Sequence, residues 1–473
     1  MLKKDQKILF VDLDGSLIST DLLYESFWSY FSRQLFAPFI CVYLLATQGL
    51  ARLKNFLYNN SLISVDKIPY NNDVIDYISN WIQENTGKVI LISASSHCFV
   101  EKIAKHLGLF DEFYGTFDIN LKGKEKLKKI RQIADQKEFE YIGNSIDDVI
   151  IWKDSSKSIL VNPSSSLKRK ASKYSLKLEV IGSRSGLKGY FFKLLRIHQW
   201  SKNFLLFLPV FLGGQLKLSI GLISMQGFLA FSLVASAFYI INDLFDIEND
   251  RNHPSKKNRP LASGNISINQ GMITVFFCLA FAYLLTINLP QLFKFTLVYY
   301  ALTTFLYSKY LKKIALIDIL FLASFYVLRI LSGGILLQIS ISNWLLTFSV
   351  FFFLFLACIK RLTEVRQLKD TRLTGRGYKN KDLGFLSNTA YFSGYVSVLV
   401  ICLYVDSQQA EYFYSDSTFL WAIPVFLLYW IMYILLMSER EQIHADPVIF
   451  ALKSKVSYLV LFLIGLTLVF IEF

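Results

Sequence analysis

The chain has 473 residues, 53% hydrophobic and only 18% charged, with a formal net charge of +14. That apolar excess excludes a disordered chain and an ordinary water-soluble enzyme. Five Cys in this length exclude a disulfide framework, and Cys41, Cys98, Cys278, Cys358 and Cys402 form no CxxC pair. Composition changes along the chain. Residues 1–185 alternate polar and apolar segments at net charge +4, whereas residues 186–473 are long apolar runs between short basic loops at net charge +10. A soluble domain (1–167), a basic linker (168–195) and a membrane domain (196–473) are expected.

The N-terminal residues read as a strand with an acidic end, not as a secretory signal, so the soluble domain is expected to stay on the side where it is made. In KILFVDLDGSL (7–17) an apolar strand ends in Asp12 and Asp14. One carboxylate can act as nucleophile and the other as proton donor to a leaving oxygen. A second strand, KVILISAS (88–95), carries Ser93 near its end, and Lys122 lies in NLKGKEKL (120–127) with Lys126 one helical turn further as its alternative. A third strand, FEYIGNSIDD (139–148), leads into Asn144 and Asp148. Such strand ends, with helices between them, describe a parallel sheet whose ligand sits at the carboxyl edge. Between the first two strands, about 16–85, is a cap-like insert. Its run LFAPFICVYLLATQGL (35–50) is either a buried cap helix or a helix dipping into the bilayer surface, being short for a span.

These stations resemble those of haloacid dehalogenase-type phosphatases over about residues 5–165. The resemblance implies an α/β Rossmann-like domain with a helical cap. It makes Asp12 the nucleophile that becomes aspartyl-phosphate, Asp14 the general acid/base, Ser93 the phosphate-binding hydroxyl and Lys122 the lysine steadying the phosphoryl group. Mg²⁺ would be held by Asp12, Asp14, Asn144 and Asp148. Asn144 stands where that family has Asp, which removes one negative charge from the metal site.

The basic segment 168–195 reads as a tether with an amphipathic helix on anionic lipid, or as a plain spacer. Nine spans are expected, near 203–217, 221–243, 268–289, 291–309, 314–337, 343–360, 386–405, 418–437 and 456–472. Arg251, Lys256, Lys257, Arg259, Lys309, Lys312, Lys313 and the basic run from Lys360 to Lys381 crowd one set of loops. The positive-inside rule makes that side cytoplasmic, with the soluble domain and the charged motifs, and puts the C-terminus outside. The expected location is a bacterial inner membrane.

The second span ends in YIINDLFDIENDRNHPSKKNRPLASG (239–264). Asp243, Asp246 and Asp250, three and four residues apart, share a helix face, with Asn242 beside them. Like charges at a bilayer edge need a cation, and Mg²⁺ bridging to a diphosphate supplies one. Lys256, Lys257 and Arg259 are placed to hold the diphosphate directly.

The motif resembles the first Asp-rich motif of UbiA-type polyprenyl transferases. Because the loop 360–382 lacks a second DxxxD pair, the resemblance is stronger to the branch of decaprenyl-phosphate phosphoribosyltransferase. It is carried by RIHQWSKNFLLFLP (196–209), the Asp-rich motif, YSKYLKKIALIDIL (307–320), KRLTEVRQL (360–368) with a later GY (377–378), and DPVIFALKSK (446–455). The resemblance implies an all-α polytopic membrane domain, a polyprenyl phosphate acceptor, a 5-phosphoribosyl diphosphate donor and Mg²⁺. Lys202, Lys360, Arg361, Arg366 and Tyr378 are candidates for holding the acceptor phosphate and the donor's 5-phosphate. Glu364 either orients the ribose or pairs with Lys360. Asp318 is either a second metal-side carboxylate or a partner of Lys312.

Transfer would leave a 5-phosphate on the lipid, which the fused phosphatase could remove. The rival enzyme is an aromatic prenyltransferase using a polyprenyl diphosphate, and the rival of another class is a non-catalytic lipid-binding or transport protein. Membrane lipid is an expected partner, nucleic acid is not, and a homo-oligomer is left open.

Overall fold

The computed structural model describes residues 7–135, 137–174, 177–183, 187–213, 217–253, 255–367, 377–413, 418–443 and 446–472. It divides into two compact units, Met1–Ile197 with Tyr239–Phe277, and His198–Phe238 with Cys278–Phe473.

The first unit contains a six-stranded parallel sheet. Its strands are β1 (Ile8–Val11), β2 (Lys88–Ser96), β3 (Glu112–Thr116), β4 (Phe139–Gly143), β5 (Lys157–Val161) and β6 (Leu178–Ile181). They lie in the order β3-β2-β1-β4-β5-β6, with Ile8 opposite Lys88 on one side and Phe139 on the other. Between β1 and β2 come α1 (Leu22–Arg33), α2 (Ala37–Asn60) and α3 (Asn72–Glu84). The crossovers then supply α4 (His97–Leu107), α5 (Lys124–Ala134), α6 (Val149–Trp152) and α7 (Ser165–Ala171). Strand β1 is apolar at every position because both faces are covered, as parallel sheets require. Leu9 and Val11 pack with Val74, Ile78, Val100 and Ile103 of α3 and α4, while Ile8 and Phe10 pack with Ile130, Trp152 and Leu167 of α5, α6 and α7. Strand order reverses between β1 and β4, which opens a ligand crevice at their carboxyl ends. Within the segment 168–195, Leu178–Ile181 pairs with β5 as the sheet's last strand and Leu187–Leu195 is a helix, α8.

Helices α9 (Leu208–Leu212), α10 (Leu218–Phe245), α11 (Ile247–Asn252), α12 (Ile268–Thr286), α13 (Gln291–Lys309) and α14 (Ile317–Leu337) follow. Then come α15 (Asn343–Gln367), α16 (Leu383–Val405), α17 (Gln408–Phe413), α18 (Ala422–Glu439), α19 (Pro447–Lys453) and α20 (Lys455–Glu472). Among the described residues six helices are long and apolar enough to cross a membrane, and up to seven if the pair formed by α19 and α20, bent by 77°, is one span. This corrects the expected nine. Of the stretch 203–217, the described residues 203–213 contain the end of a 3-10 segment, Ile197–Phe207, and the five-residue α9, about 8 Å long and far short of the hydrocarbon. Helix α13 has the length, but Lys294, Thr296, Thr303, Thr304 and Ser308 dilute its apolar character. The last expected span, 456–472, falls within α20, which counts as a span only together with α19 across the bend.

The cap helix α1 belongs to the same unit as the adjoining ends of α10 and α12. Trp28 is buried with Ile240, Leu244, Ile247, Leu261 and Ile268, and Leu194 of α8 joins them. Arg251 donates to both carboxylate oxygens of Glu25, at 2.9 and 2.5 Å, with the side chains 7% and 2% exposed. Removing one partner of a buried pair costs about 3–5 kcal/mol, and an apolar pair of similar volume recovers it. Glu25→Ala is therefore expected to lower the melting midpoint in detergent, and Glu25→Leu with Arg251→Met to restore most of it. Equal midpoints for wild type and Glu25→Ala would remove the pair from any role in holding the cap.

Candidate functional sites

At the end of β1 the chain turns sharply. Gly15 has φ +75°, and a Cβ there would lie 2.1 Å from the amide nitrogen of Asn144, so only glycine lets Asn144 close over the loop. Asp12 is 6% exposed; Lys126 donates to it at 2.7 Å and the Ser16 hydroxyl at 3.3 Å. Burial pushes Asp12 up to about 7, Asp148 and Asp14 add to this, and Lys126 opposes it. Lys126 also donates to the Tyr141 hydroxyl at 3.1 Å.

The lysine beside Asp12 is thus Lys126 and not Lys122. Lys122 lies largely in solvent, 3.0 Å from Asp147. The reason is helical: α5 begins at Lys124, and its inward face carries Lys126, Ile130 and Ala134. Asp14 accepts from the Leu22 amide at 2.9 Å and from the Ser93 and Ser95 hydroxyls at 3.0 and 2.6 Å. Asp148 accepts from the Asn144 and Ser145 amides and from the Ser145 and Tyr141 hydroxyls. Four donors on its two oxygens make it the strut of the β4 turn. Lys54, from α2, donates to the Ala94 carbonyl at 2.6 Å and to Asn120 at 2.8 Å. Asp21 caps α1, and burial and Asp14 push it up to about 7. Lys54 has no local sequence signal, and Asp21 has only that of a helix start, because the cap brings them in.

Helix α10 ends at Phe245 and α11 starts at Ile247, so the acidic motif is not one continuous helix. Its helical spacing survives the break: the Asp246 amide reaches the Asn242 carbonyl at 3.0 Å and the Asp250 amide reaches the Asp246 carbonyl at 2.8 Å. Asp243 and Asp250, each 3% exposed, accept from the same Arg259 guanidinium nitrogen at 2.9 and 2.6 Å. Arg196 also donates to Asp243. Burial pushes Asp250 up to about 6, with Asp243 and Asp246 adding to the effect and Arg259 opposing it. Asp246 is half-buried at the break, and Lys256 and Lys257 lie on the following turn with Lys257 exposed.

In the second unit Asp446 caps α19 and accepts from Lys202 at 2.6 Å and Lys360 at 3.1 Å. Burial would raise its carboxyl, but the two ammonium groups outweigh that and hold it well below the usual range. Arg361 is buried, donating to both oxygens of Asp318, to Glu364 and to the Tyr307 hydroxyl. The structure thus gives Asp318 and Glu364 a common partner in Arg361, while Lys360 donates to Asp446. Arg366 is tied to the Ser438 carbonyl and to Glu439, and the Tyr378 hydroxyl accepts from the Leu316 amide at 3.0 Å. Tyr299, Thr303, Phe321, Leu328, Val350 and Leu354 line part of an apolar cavity of about 250 Å³. Arg196 and Asp446 were not singled out from sequence. Asp446 had a signal, since Asp before Pro-Val-Ile-Phe is a helix start.

Among the described residues no three Asp, Glu, His or Cys side chains group as a metal site. Mg²⁺ commonly takes one or two carboxylates and completes its shell with water and phosphate oxygens. Asp243 and Asp250 fit that habit, because both already reach one cationic nitrogen. Asp12 with the Asn144 amide is also an all-oxygen set.

The helices define an integral membrane protein, and comparison gives its kind. A family model, UbiA prenyltransferase family, matches residues 204–454. The chain belongs to that family. It is 32% identical to the uncharacterized protein y4nM of Sinorhizobium fredii over 96% of this chain and 89% of that one. It is 33% identical to decaprenyl-phosphate phosphoribosyltransferase of Mycobacterium tuberculosis over 38% of this chain and 61% of the relative. A substrate-bound phosphoserine phosphatase structure aligns with 37% of this chain and 94% of its own, at 14% identity and TM-score 0.27.

Proposed function

We propose that the membrane domain transfers a 5-phosphoribosyl group from 5-phosphoribosyl diphosphate to a polyprenyl phosphate, and that the N-terminal domain removes the 5-phosphate from the lipid product. The observation that supports this most is the convergence of Asp243 and Asp250 on the Arg259 guanidinium nitrogen. Carboxylates that meet on one cation, with Arg259, Lys256 and Lys257 adjoining, suit a metal-bound diphosphate.

In this reading Asp243 and Asp250, with Asp246 and Asn242 beside them, hold Mg²⁺. A Mg²⁺ held there would supply charge neutralisation for the departing diphosphate. Arg259 turns from the carboxylates to the diphosphate oxygens. An oxygen of the acceptor phosphate attacks C1 of the ribose, the C1–O bond breaks, and its electron pair leaves with diphosphate. Lys202 and Lys360, held by Asp446, are the cations for the phosphate monoesters. Arg361 fixes Asp318 and Glu364, which are candidates for the ribose hydroxyls. Arg366 and Tyr378 brace the loop ends. The apolar cavity suits isoprene units.

In the phosphatase step Asp12 attacks phosphorus, and Lys126 neutralises the developing charge. Asp14, oriented by Ser93 and Ser95, protonates the leaving ribose oxygen. Mg²⁺ on Asp12 and Asn144 would supply charge neutralisation there. The proposed location is the inner membrane, with both sites cytoplasmic.

The test is purified protein in detergent with Mg²⁺, polyprenyl phosphate and ribose-labelled donor. Label entering the lipid fraction is expected. No transfer, together with reaction of a polyprenyl diphosphate and an aromatic acceptor, would move the assignment to prenyl transfer. Reaction with neither pair would favour a non-catalytic membrane protein.

A pH effect follows from Asp250. Its value of about 6 lies above the ordinary carboxylate, so the folded chain favours the neutral form. The associated stability is complete at low pH and is lost as pH rises through about 6, and a bound cation reverses that loss. Protons therefore compete with Mg²⁺. The Mg²⁺ concentration for half-maximal transfer is expected to rise about fivefold from pH 6 to pH 5. A flat Mg²⁺ requirement across that range would remove Asp250 from the metal.

A further inference from the structure

The first half of α2 has an exposure that a soluble cap does not tolerate. From Leu35 to Ala51 the chain carries no charged residue. Phe36, Phe39, Val42 and Tyr43 are 62%, 73%, 67% and 64% exposed, while Ala37 and Cys41 form the buried side. A helix apolar on nearly all faces is normally enclosed by protein or by lipid. Here protein covers one stripe: Cys41, Leu53 and Leu57 pack with Leu23, Phe27 and Tyr30 of α1. This corrects the reading of 35–50 as a buried cap helix. The half-helix ends at Gly49, where φ is +80° and the helix kinks. At about 1.5 Å per residue the twelve residues before it reach about 18 Å, too short for a hydrocarbon core of about 30 Å.

What covers it follows from its neighbours. Phe27 and Phe31 of α1 pack with the cluster at the ends of α10 and α12, and the Phe31 and Phe245 rings are 5.2 Å apart. The α1–α2 hairpin is therefore bound to the ends of two membrane-spanning helices. Arg33 and Arg52 flank the run, a sign pattern suited to anionic headgroups, and Phe and Tyr are the residues of the interface. The loops beyond β3 and β4 also expose Phe117, Ile119 and Ile146, at 56%, 64% and 63%.

We infer that Phe36–Leu45 of the phosphatase cap lies in the lipid interface of the membrane that the chain itself crosses, so that this domain takes lipid-linked phosphate monoesters in preference to soluble ones. The substrate half of this statement rests on the phosphatase reading above; the surface half does not.

The full chain in nanodiscs containing an acyl-chain diazirine phosphatidylcholine tests the surface. After irradiation and peptide mapping, lipid adducts are expected on Phe39, Val42 and Tyr43 at levels near those on Phe276, which is exposed on α12, and not on Ile82 of α3. Adducts on Phe276 with none on Phe36–Leu45 would overturn it, whether water or a second copy of the chain covers the helix. Phe39→Asp with Val42→Asp tests the substrate preference. Hydrolysis of the lipid-linked phosphate is expected to fall tenfold or more, with p-nitrophenyl phosphate hydrolysis unchanged. Equal change on both substrates would overturn the preference. Inactive wild type on both would sink the phosphatase reading, while the adduct map still decides the surface.

Discussion

Asp243→Asn is expected to reduce 5-phosphoribosyl transfer by about 10²–10³-fold, with the loss chiefly in kcat. Asp243 takes Arg196 and shares Arg259 with Asp250. An amide keeps its shape but offers a hard cation a neutral oxygen and leaves two guanidinium groups without their shared charge. Because diphosphate acquires charge as the C1–O bond breaks, the missing interaction is felt in the transition state more than in donor binding. The variant should also lose the rise in melting midpoint that Mg²⁺ with diphosphate gives the wild type, a readout that does not depend on turnover. Retained transfer within about threefold, with the thermal shift intact, would put the metal elsewhere. Arg259→Ala separates the other half of the pair: it should raise the KM for donor, since Arg259 becomes a ligand of the diphosphate only when the ion takes its place.

Asp12→Asn is expected to abolish dephosphorylation, by at least about 10³-fold, and to make the 5-phosphorylated lipid accumulate while transfer continues. Lys126→Ala should follow it to about 10²-fold, because it removes the cation paired with a buried carboxylate at 2.7 Å. Without that cation burial pushes Asp12 further up, and a larger fraction is protonated and not nucleophilic at neutral pH. Lys122→Ala should stay within about twofold. The contrast matters, since spacing alone leaves both lysines open and the resemblance points to Lys122. If Lys122→Ala is the damaging change and Lys126→Ala is silent, the geometry around Asp12 is not that of the working enzyme.

Much of the molecule was legible in the chain. A strand of four apolar residues ending in two carboxylates announces a parallel sheet with its crevice at β1, because only a strand buried on both faces is written that way. The acidic motif was legible for the opposite reason: charges at the end of an apolar run are expensive, and repeated spacing of three and four brings them together whether or not the helix is continuous. Family membership follows from the same segments in order.

Other features depended on distances between remote residues. Which lysine meets Asp12 depends on where α5 begins, a matter of one turn that composition does not mark. Asp446 lies 244 residues from Lys202 and 86 from Lys360, and nothing local pairs them. Arg361 takes both Asp318 and Glu364, although Lys360 sits next to it in sequence, because adjacent residues of a helix point about 100° apart. The span count changed for a related reason. Hydropathy windows register apolar composition, whereas crossing a bilayer also needs a long unbroken hydrogen-bonded helix, and the chain stays in short turns before α9. By itself the sequence determined the sheet, the membrane character and the residues with chemistry to offer, since these rest on periodicity and charge cost. Only the tertiary structure decided which charges neutralise one another and which apolar face is left for lipid, since these are settled by packing between segments far apart in the chain.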